Sequence, residues 1–505
     1  MSKALPIMFQ GTHSDAGKSV IVTAFCRIFA QDGYKTVPFK SQNMALNSYI
    51  TVDGKEIGRA QGVQAEAAGV QATTDMNPIL LKPNRGNQAQ IVLHGKPFKN
   101  MEAGAYRRDF FPTGLKLIGE ALERLTDENE RMVIEGAGSP AEVNLNDREL
   151  VNMRVARLAN APVILIGDIE KGGVFASLVG TLQLMEPEDR DRVIGVIINK
   201  FRGDIKLLQS GLDWFEEYTG KPVLGVIPYL PNLNIDAEDS VILNQYSSVQ
   251  NQDKEIDIAV IQYPKISNFT DVDPFFVEPD CHVRFITGAE QLKEPDLIIL
   301  PGSKNTIDDF RFLQDSGLAE KIIHLHNKKQ TKVFGICGGY QMLGQSIADP
   351  YGVESLEQYS EGLGLLPVAT TITQEKTTVL SEGELSFCGK ILNVQGYEIH
   401  MGSSILAEDA KSLIITETGT DGCKNKEETV IGTYFHGVFH NDELRTMLIN
   451  HIREEKGLDP LFNRVSFNQM REEAFDRLAD HVRAHVKLDF IEEKMLEFGQ
   501  RRLVK

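Results

Sequence analysis

The sequence predicts an α/β protein made of two doubly wound domains, each on a mainly parallel sheet, with a helical tail. Three observations carry that prediction. Short apolar runs alternate with amphipathic segments through the first half, the pattern that lays helices over both faces of a parallel sheet. A polar stretch interrupts the alternation, which then starts again. The chain has 505 residues, too many for one ordinary hydrophobic core.

The elements follow in order. "ALPIMF", "TVPFK", "RMVIEG", "APVILIGD" and "RVIGVIIN" are apolar runs of strand length, as expected for strands buried on both faces. Segments such as "VIVTAFCRIFAQDG" lie between them and read as helices. The start, "MSKALPIMF", is too short for a cleaved leader and runs straight into the first strand. These elements define a first domain over 1–243. "NQYSSVQNQDKE", 244–255, is poor in apolar residues and reads as a linker. "IDIAVIQY", "PDLIILPG", "TKVFGICGG" and "TVIGTYFHGVF" then build a second domain over 256–460. The tail, 461–505, carries Phe475, Leu478, Val482 and Val486 at helical spacing. That stripe is expected to pack on the second domain.

Hydrophobic residues make up 42% and charged residues 25% of the chain, the balance of a soluble globular protein. No apolar run reaches the length of a membrane span. The net charge of −18 argues against nucleic acid as a partner. It also repels anionic substrates at long range, so local cations and helix ends must gather any anion. Cys26, Cys281, Cys337, Cys388 and Cys423 are odd in number and lack metal spacing. They point to a reducing, cytoplasmic setting without a disulfide framework.

The first strand leads into Gly11-Thr12-His13-Ser14-Asp15-Ala16-Gly17-Lys18-Ser19. A strand, a glycine-bounded loop and a Lys-Ser pair opening a helix suit a nucleotide's phosphates. The backbone N–H groups from Gly11 and Thr12 through Asp15, Ala16 and Gly17 turn inward, and the helix N-terminus adds positive potential. Lys18 would reach the outer phosphates and the Ser19 hydroxyl would ligate Mg²⁺. Five residues separate the first glycine from the Gly-Lys pair, one more than usual.

Far downstream, "VFGICGGYQMLG" reads as strand, sharp turn and helix, with Cys337 at the turn between Gly335 and Gly339. Small neighbours let the backbone take a strained elbow that exposes the sulfur. The following helix N-terminus favours the thiolate. An acyl-transfer site also needs two oxyanion donors. The N–H of Gly338 is one; "LPGSKNT", after its own strand, offers the other from Gly302 or Ser303.

The nine-residue loop resembles that of dethiobiotin synthetase and its relatives, in which ATP activates a carboxylate. Partition-type ATPases of the same superfamily carry an early loop lysine where this chain has His13. "PFKSQNMALNS", "EIGRAQGVQAEAAG", "NPILLKP", "VIEGAGSPAEVNL", "GDIEKGGVFASLVGT" and "NKFRGD" together resemble, in order, the cobyric acid synthase family of glutamine-dependent amidases. "GICGGYQMLG" resembles the nucleophile motif of class I glutamine amidotransferases, and His436 in "GTYFHGVF" resembles their catalytic histidine. "PKISNFTDVDPF" and "VQGYEIHMG" are further family-like strings. The second places Tyr397, Glu398 and His400 on the active-site face without assigned roles.

The resemblance implies a P-loop NTPase-like first sheet and a class I amidotransferase-like (flavodoxin-like) second one. It implies that Glu135 holds Mg²⁺ with Ser19, and that Lys40 and Lys82 face the substrate carboxylate or the transferred phosphate. Asn199 and Lys200 would contact the nucleotide; Asn144 and Asp168 are weaker candidates. His436 would serve as the base for Cys337. Many class I enzymes place a Glu two residues after that histidine; here it is Val438, which leaves the orienting partner open. The implied substrates are L-glutamine, ATP and a corrinoid, adenosylcobyrinic acid a,c-diamide. The homologous a,c-diamide synthase remains an alternative, although "SQNMALNS" stands where that enzyme has an acidic "GPDYIDP"-like string. A nucleotide switch with an inert second domain is the rival from another class.

Overall fold

A computed structural model describes residues 3–84, 87–235 and 254–503. It divides into two compact units: Met1–Ala45, Lys55–Ile235 and Arg471–Lys505 in one, Leu46–Gly54 and Asp236–Met470 in the other. Most of the stretch read as a linker, 244–253, lies outside the described residues.

In the first unit the strands are β1 (Leu5–Gly11), β2 (Thr36–Phe39), β3 (Arg131–Glu135), β4 (Val163–Asp168), β5 (Val193–Phe201) and β6 (Val223–Pro228). They form one sheet in the order β6-β5-β4-β1-β3-β2, and every pair is parallel. Their side chains are almost wholly buried, which is why these runs read as continuously apolar rather than alternating. Parallel register sets the strands' C-terminal ends side by side. Phe9 pairs with Glu135, Gly11 with Ile166, and Asp168 with Asn199. Four candidate site residues therefore share one sheet edge, where ligands of doubly wound folds bind. Helix α1 (Lys18–Gln31) covers the sheet.

The tail departs from expectation. Its stripe of Phe475, Leu478, Val482 and Val486 joins Ile21, Phe25, Ile28 and Leu224 in the core of the first unit, not the second. Arg27 Nε donates to Asp476 at 2.7 Å, and Lys487 N to Leu224 O at 2.8 Å. Helical spacing states that a stripe is buried; it does not say against what. The first-domain boundary also changes, because residues 46–54 group with the second unit. There Ile50 packs with Tyr397 and Ile399.

The second unit is built on β7 (Ile256–Ile261), β8 (Cys281–Ile286), β9 (Leu297–Leu300), β10 (Lys332–Ile336), β13 (Cys423–Lys424) and β14 (Val430–Thr433), ordered β8-β7-β9-β10-β14-β13. Only the β13 edge is antiparallel. A long hairpin of β11 (Val368–Phe387) and β12 (Lys390–Leu406) stands apart from this sheet. Arg445 and Glu278 form a fully buried ion pair at 2.6 Å, and Arg445 also donates to the carbonyls of Phe439 and Val465. Glu278 also pairs with buried Arg464 at 2.7 Å, so losing Arg445 weakens the compensation of its charge without abolishing it. Arg445→Met is expected to destabilise the second unit by up to about 3 kcal/mol, read as an earlier midpoint in denaturant.

Candidate active site

At the edge of the first sheet the phosphate loop is closed by close packing. Gly17 has φ 94°, and a β-carbon there would lie 2.2 Å from Asn199 Nδ2, so only glycine fits. Asn199 Nδ2 donates to Ala16 O at 3.0 Å and Lys200 Nζ to Asp15 O at 2.8 Å. Both side chains thus brace the loop. Lys200 also pairs with Asp168 at 2.8 Å. Burial raises the Asp168 carboxyl, but this pair and the Glu170 N–H outweigh it and hold the group below its ordinary value. Lys18 Nζ folds back onto His13 O at 3.1 Å. The Thr12 hydroxyl is buried with no hydrogen-bond partner among the described residues, as suits a group that meets a phosphate oxygen.

Glu135 ends β3 almost fully buried. Its Oε1 accepts from Ser19 Oγ and from Lys40 Nζ, both at 2.8 Å. Its Oε2 accepts from Gln64 Nε2 at 2.6 Å. A hydroxyl and a carboxylate are hard oxygen donors that fit Mg²⁺. No group of three or more His, Cys, Asp or Glu side chains gathers among the described residues. An ion here would fill its shell with phosphate and water oxygens, the usual habit of Mg²⁺. Lys82 is buried and ion-paired with a different carboxylate, Glu56. Asn144 sits exposed on a loop.

The second site assembles at the ends of β9, β10 and β14. Cys337 follows β10 with φ 52° and ψ −109°, a strained conformation that persists only where packing enforces it. Gly339 permits the elbow, since a β-carbon there would lie 1.9 Å from Leu300 O. The sulfur lies 3.6 Å from Ile399 O and near enough to His436 to help raise its pKa. The expected oxyanion residues surround it. A methyl on Gly338 would lie 2.9 Å from the Ser303 nitrogen, and one on Gly302 would lie 3.1 Å from His436 Cε1. The structure brings Cys337, Gly338, Gly302, Ser303 and His436 together.

The orienting partner absent at Val438 comes from another part of the chain. His436 is fully buried, and Asp271 Oδ2 lies 2.7 Å from its Nδ1. Asp271 Oδ1 accepts from Gly437 N at 2.8 Å, which fixes the carboxylate against the histidine's own loop. Burial pulls the His436 pKa down, but the charge and hydrogen bond of Asp271, then those of Cys337, push it up to about 10. The imidazole is therefore poised to hold a proton taken from the thiol. Sequence reasoning missed Asp271 and Gln64. Both lie inside quoted strings, "PKISNFTDVDPF" and "EIGRAQGVQAEAAG", but nothing local to either string sets the acid against a histidine 165 positions later.

A phosphate-loop sheet and a Cys–His–Asp elbow sheet in one chain define a class: nucleotide-binding, glutamine-hydrolysing ligases. Residues 7–242 match the CobQ/CobB/MinD/ParA nucleotide binding domain, and 257–444 the CobB/CobQ-like glutamine amidotransferase domain. A cobyric acid synthase of Geobacillus sp. (strain WCH70) is 66% identical over 99% of this chain and 100% of its own length. Those of Anoxybacillus flavithermus and Desulforamulus reducens are 63% and 50% identical, covering 99% and 98% of this chain and 98% and 99% of their own. The chain belongs to the cobyric acid synthase family. No helix among the described residues is long and apolar enough to cross a membrane.

Proposed function

We propose that the chain amidates the b, d, e and g side-chain carboxylates of adenosylcobyrinic acid a,c-diamide, using ATP and the side-chain nitrogen of L-glutamine. The observation that carries this reading is the buried His436 between Cys337 and Asp271, in a chain that also holds a phosphate loop. His436 takes the thiol proton, and the sulfur attacks the glutamine amide carbon. N–H groups of Gly338 and of the Gly302–Ser303 segment face the developing oxyanion. The imidazolium returns the proton to the departing ammonia. Water then cleaves the glutamyl thioester to glutamate.

In the first unit a corrin carboxylate attacks the γ-phosphoryl group of ATP and displaces ADP as the bond to the β,γ-bridging oxygen breaks. The resulting acyl phosphate has the leaving group that a carboxylate lacks, and ammonia displaces phosphate to give the amide. Lys18 and the loop N–H groups offset charge on the transferring phosphoryl group. Lys40, beside Glu135, offers a cation to the acceptor carboxylate. Ser19 and Glu135 would hold Mg²⁺, whose chemistry is to neutralise the phosphate oxygens. Ser19→Ala leaves the Lys40–Glu135 pair intact. It is expected to raise the Mg²⁺ concentration needed for half-maximal amidation at least about tenfold, measured by Mg²⁺ titration with ammonium as nitrogen source.

The deciding experiment is mass spectrometry of the corrinoid after incubation with ATP, Mg²⁺ and amide-¹⁵N glutamine. A ladder ending at four labelled amides is the expected result. No mass change, in protein that hydrolyses ATP, would sink the assignment. Conversion of the non-amidated corrin instead would favour the a,c-diamide synthase reading.

A further inference from the structure

We propose that Glu398 binds the α-ammonium group of glutamine and so makes the amidotransferase half select an amino acid over a simple amide. This rests on the glutaminase reading of Cys337 given above.

Strand β12 runs past the nucleophile. Ile399 O faces the Cys337 sulfur at 3.6 Å, and the Tyr397 ring stacks on His436 with centroids 5.1 Å apart. Glu398 lies between these two residues. Strand alternation turns its side chain, with that of His400, to the opposite face from Tyr397 and Ile399. On that face the His400 ring stacks on Tyr434 at 3.8 Å. The Tyr434 hydroxyl accepts from Gln341 Nε2 at 3.1 Å, and Gln341 lies one helical turn beyond Cys337. The Glu398 carboxylate thus joins a polar network that runs through His400, Tyr434 and Gln341 to the nucleophile helix.

The carboxylate is held in place but not used up. Ser381 Oγ donates to Oε1 at 2.7 Å, and His400 Nε2 lies 3.3 Å from Oε2. His400 is itself fixed by donating from Nδ1 to Gly402 O at 2.8 Å. A carboxylate has about four acceptor sites, so room remains for a ligand. The side chain is 18% exposed, reachable yet largely desolvated, where a charge-assisted hydrogen bond is strong. Burial raises its pKa, but the bonds from His400 and Ser381 and the nearby charges of His400 and His436 outweigh this and keep it below the ordinary value. An ionised carboxylate with acceptor sites left over, on the strand that passes the nucleophile, suits a cationic ligand. Glutamine carries one cationic group, its α-ammonium.

The test compares L-glutamate with glutarate, which lacks only the amino group, as competitive inhibitors of glutamine hydrolysis in the full-length protein with ATP and corrinoid present. In the wild type, glutamate is expected to bind about 10- to 100-fold tighter than glutarate. Glu398→Gln is expected to raise the glutamine KM and the glutamate inhibition constant by a similar factor. Glutarate inhibition and ammonium-dependent amidation should stay within twofold. Equal wild-type inhibition by the two acids would overturn the proposal without any variant. So would a variant that weakens glutarate as much as glutamate, since that marks a merely structural role. A wild type that hydrolyses no glutamine would instead remove the underlying reading.

Discussion

Replacing Cys337 by alanine should lower glutamine-dependent amidation by about 10⁴-fold or more, while amidation from ammonium stays near the wild-type rate. Removing the nucleophile of an interdependent group costs about as much as removing the whole group. What survives is the positioning provided by Gly338 and the Gly302–Ser303 segment, which cannot form a thioester. The substitution deletes one sulfur from a buried elbow whose backbone is held by Cys337 N donating to Thr433 O at 2.8 Å and Gly339 N to Pro301 O at 3.1 Å. The fold around it should persist. Parallel rate measurements with glutamine and with ammonium decide the matter. Loss of both activities would mean that the two units do not work as separable half-reactions. Retention of the glutamine rate would exclude Cys337 as the nucleophile.

Asp271→Asn should reduce glutamine-dependent turnover by about 10²- to 10⁴-fold, again sparing the ammonium reaction. The amide keeps the shape of the carboxylate but presents either an N–H or a neutral oxygen to His436 Nδ1. The imidazole then loses both its enforced tautomer and the charge that stabilises the imidazolium, a change that cost about 10⁴ in the serine-protease example of the same substitution. The pH profile supplies a second readout. Burial alone would lower the His436 pKa; Asp271 is the largest influence raising it to about 10. Without that charge the imidazolium loses its proton at lower pH. The alkaline limb of glutamine hydrolysis should therefore move toward neutrality in the variant. An unchanged alkaline limb would show that Asp271 does not act through His436.

Much of this was legible in the chain itself, because it depends on residues close together in sequence. The phosphate loop from Gly11 to Ser19 and the elbow around Cys337 are each a strand, a turn and a helix start within about a dozen residues. Small residues at fixed spacing are enough to specify such turns. The strands were readable because a sheet covered on both faces demands unbroken apolar runs. The ordered strings that pointed to the family spread over most of the chain, and so outweighed any one ambiguous motif. Three matters were decided only by tertiary structure. The acid facing His436 is Asp271, in a short turn after β7, and parallel strand order rather than sequence spacing brings the two together. The tail stripe from Phe475 to Val486 chose the first core, since helical periodicity fixes a buried face but not its partner. Lys82 found Glu56, whereas Lys40 reached Glu135. A lone lysine reads the same in any sequence, and only the fold determines which carboxylate compensates the cost of burying its charge.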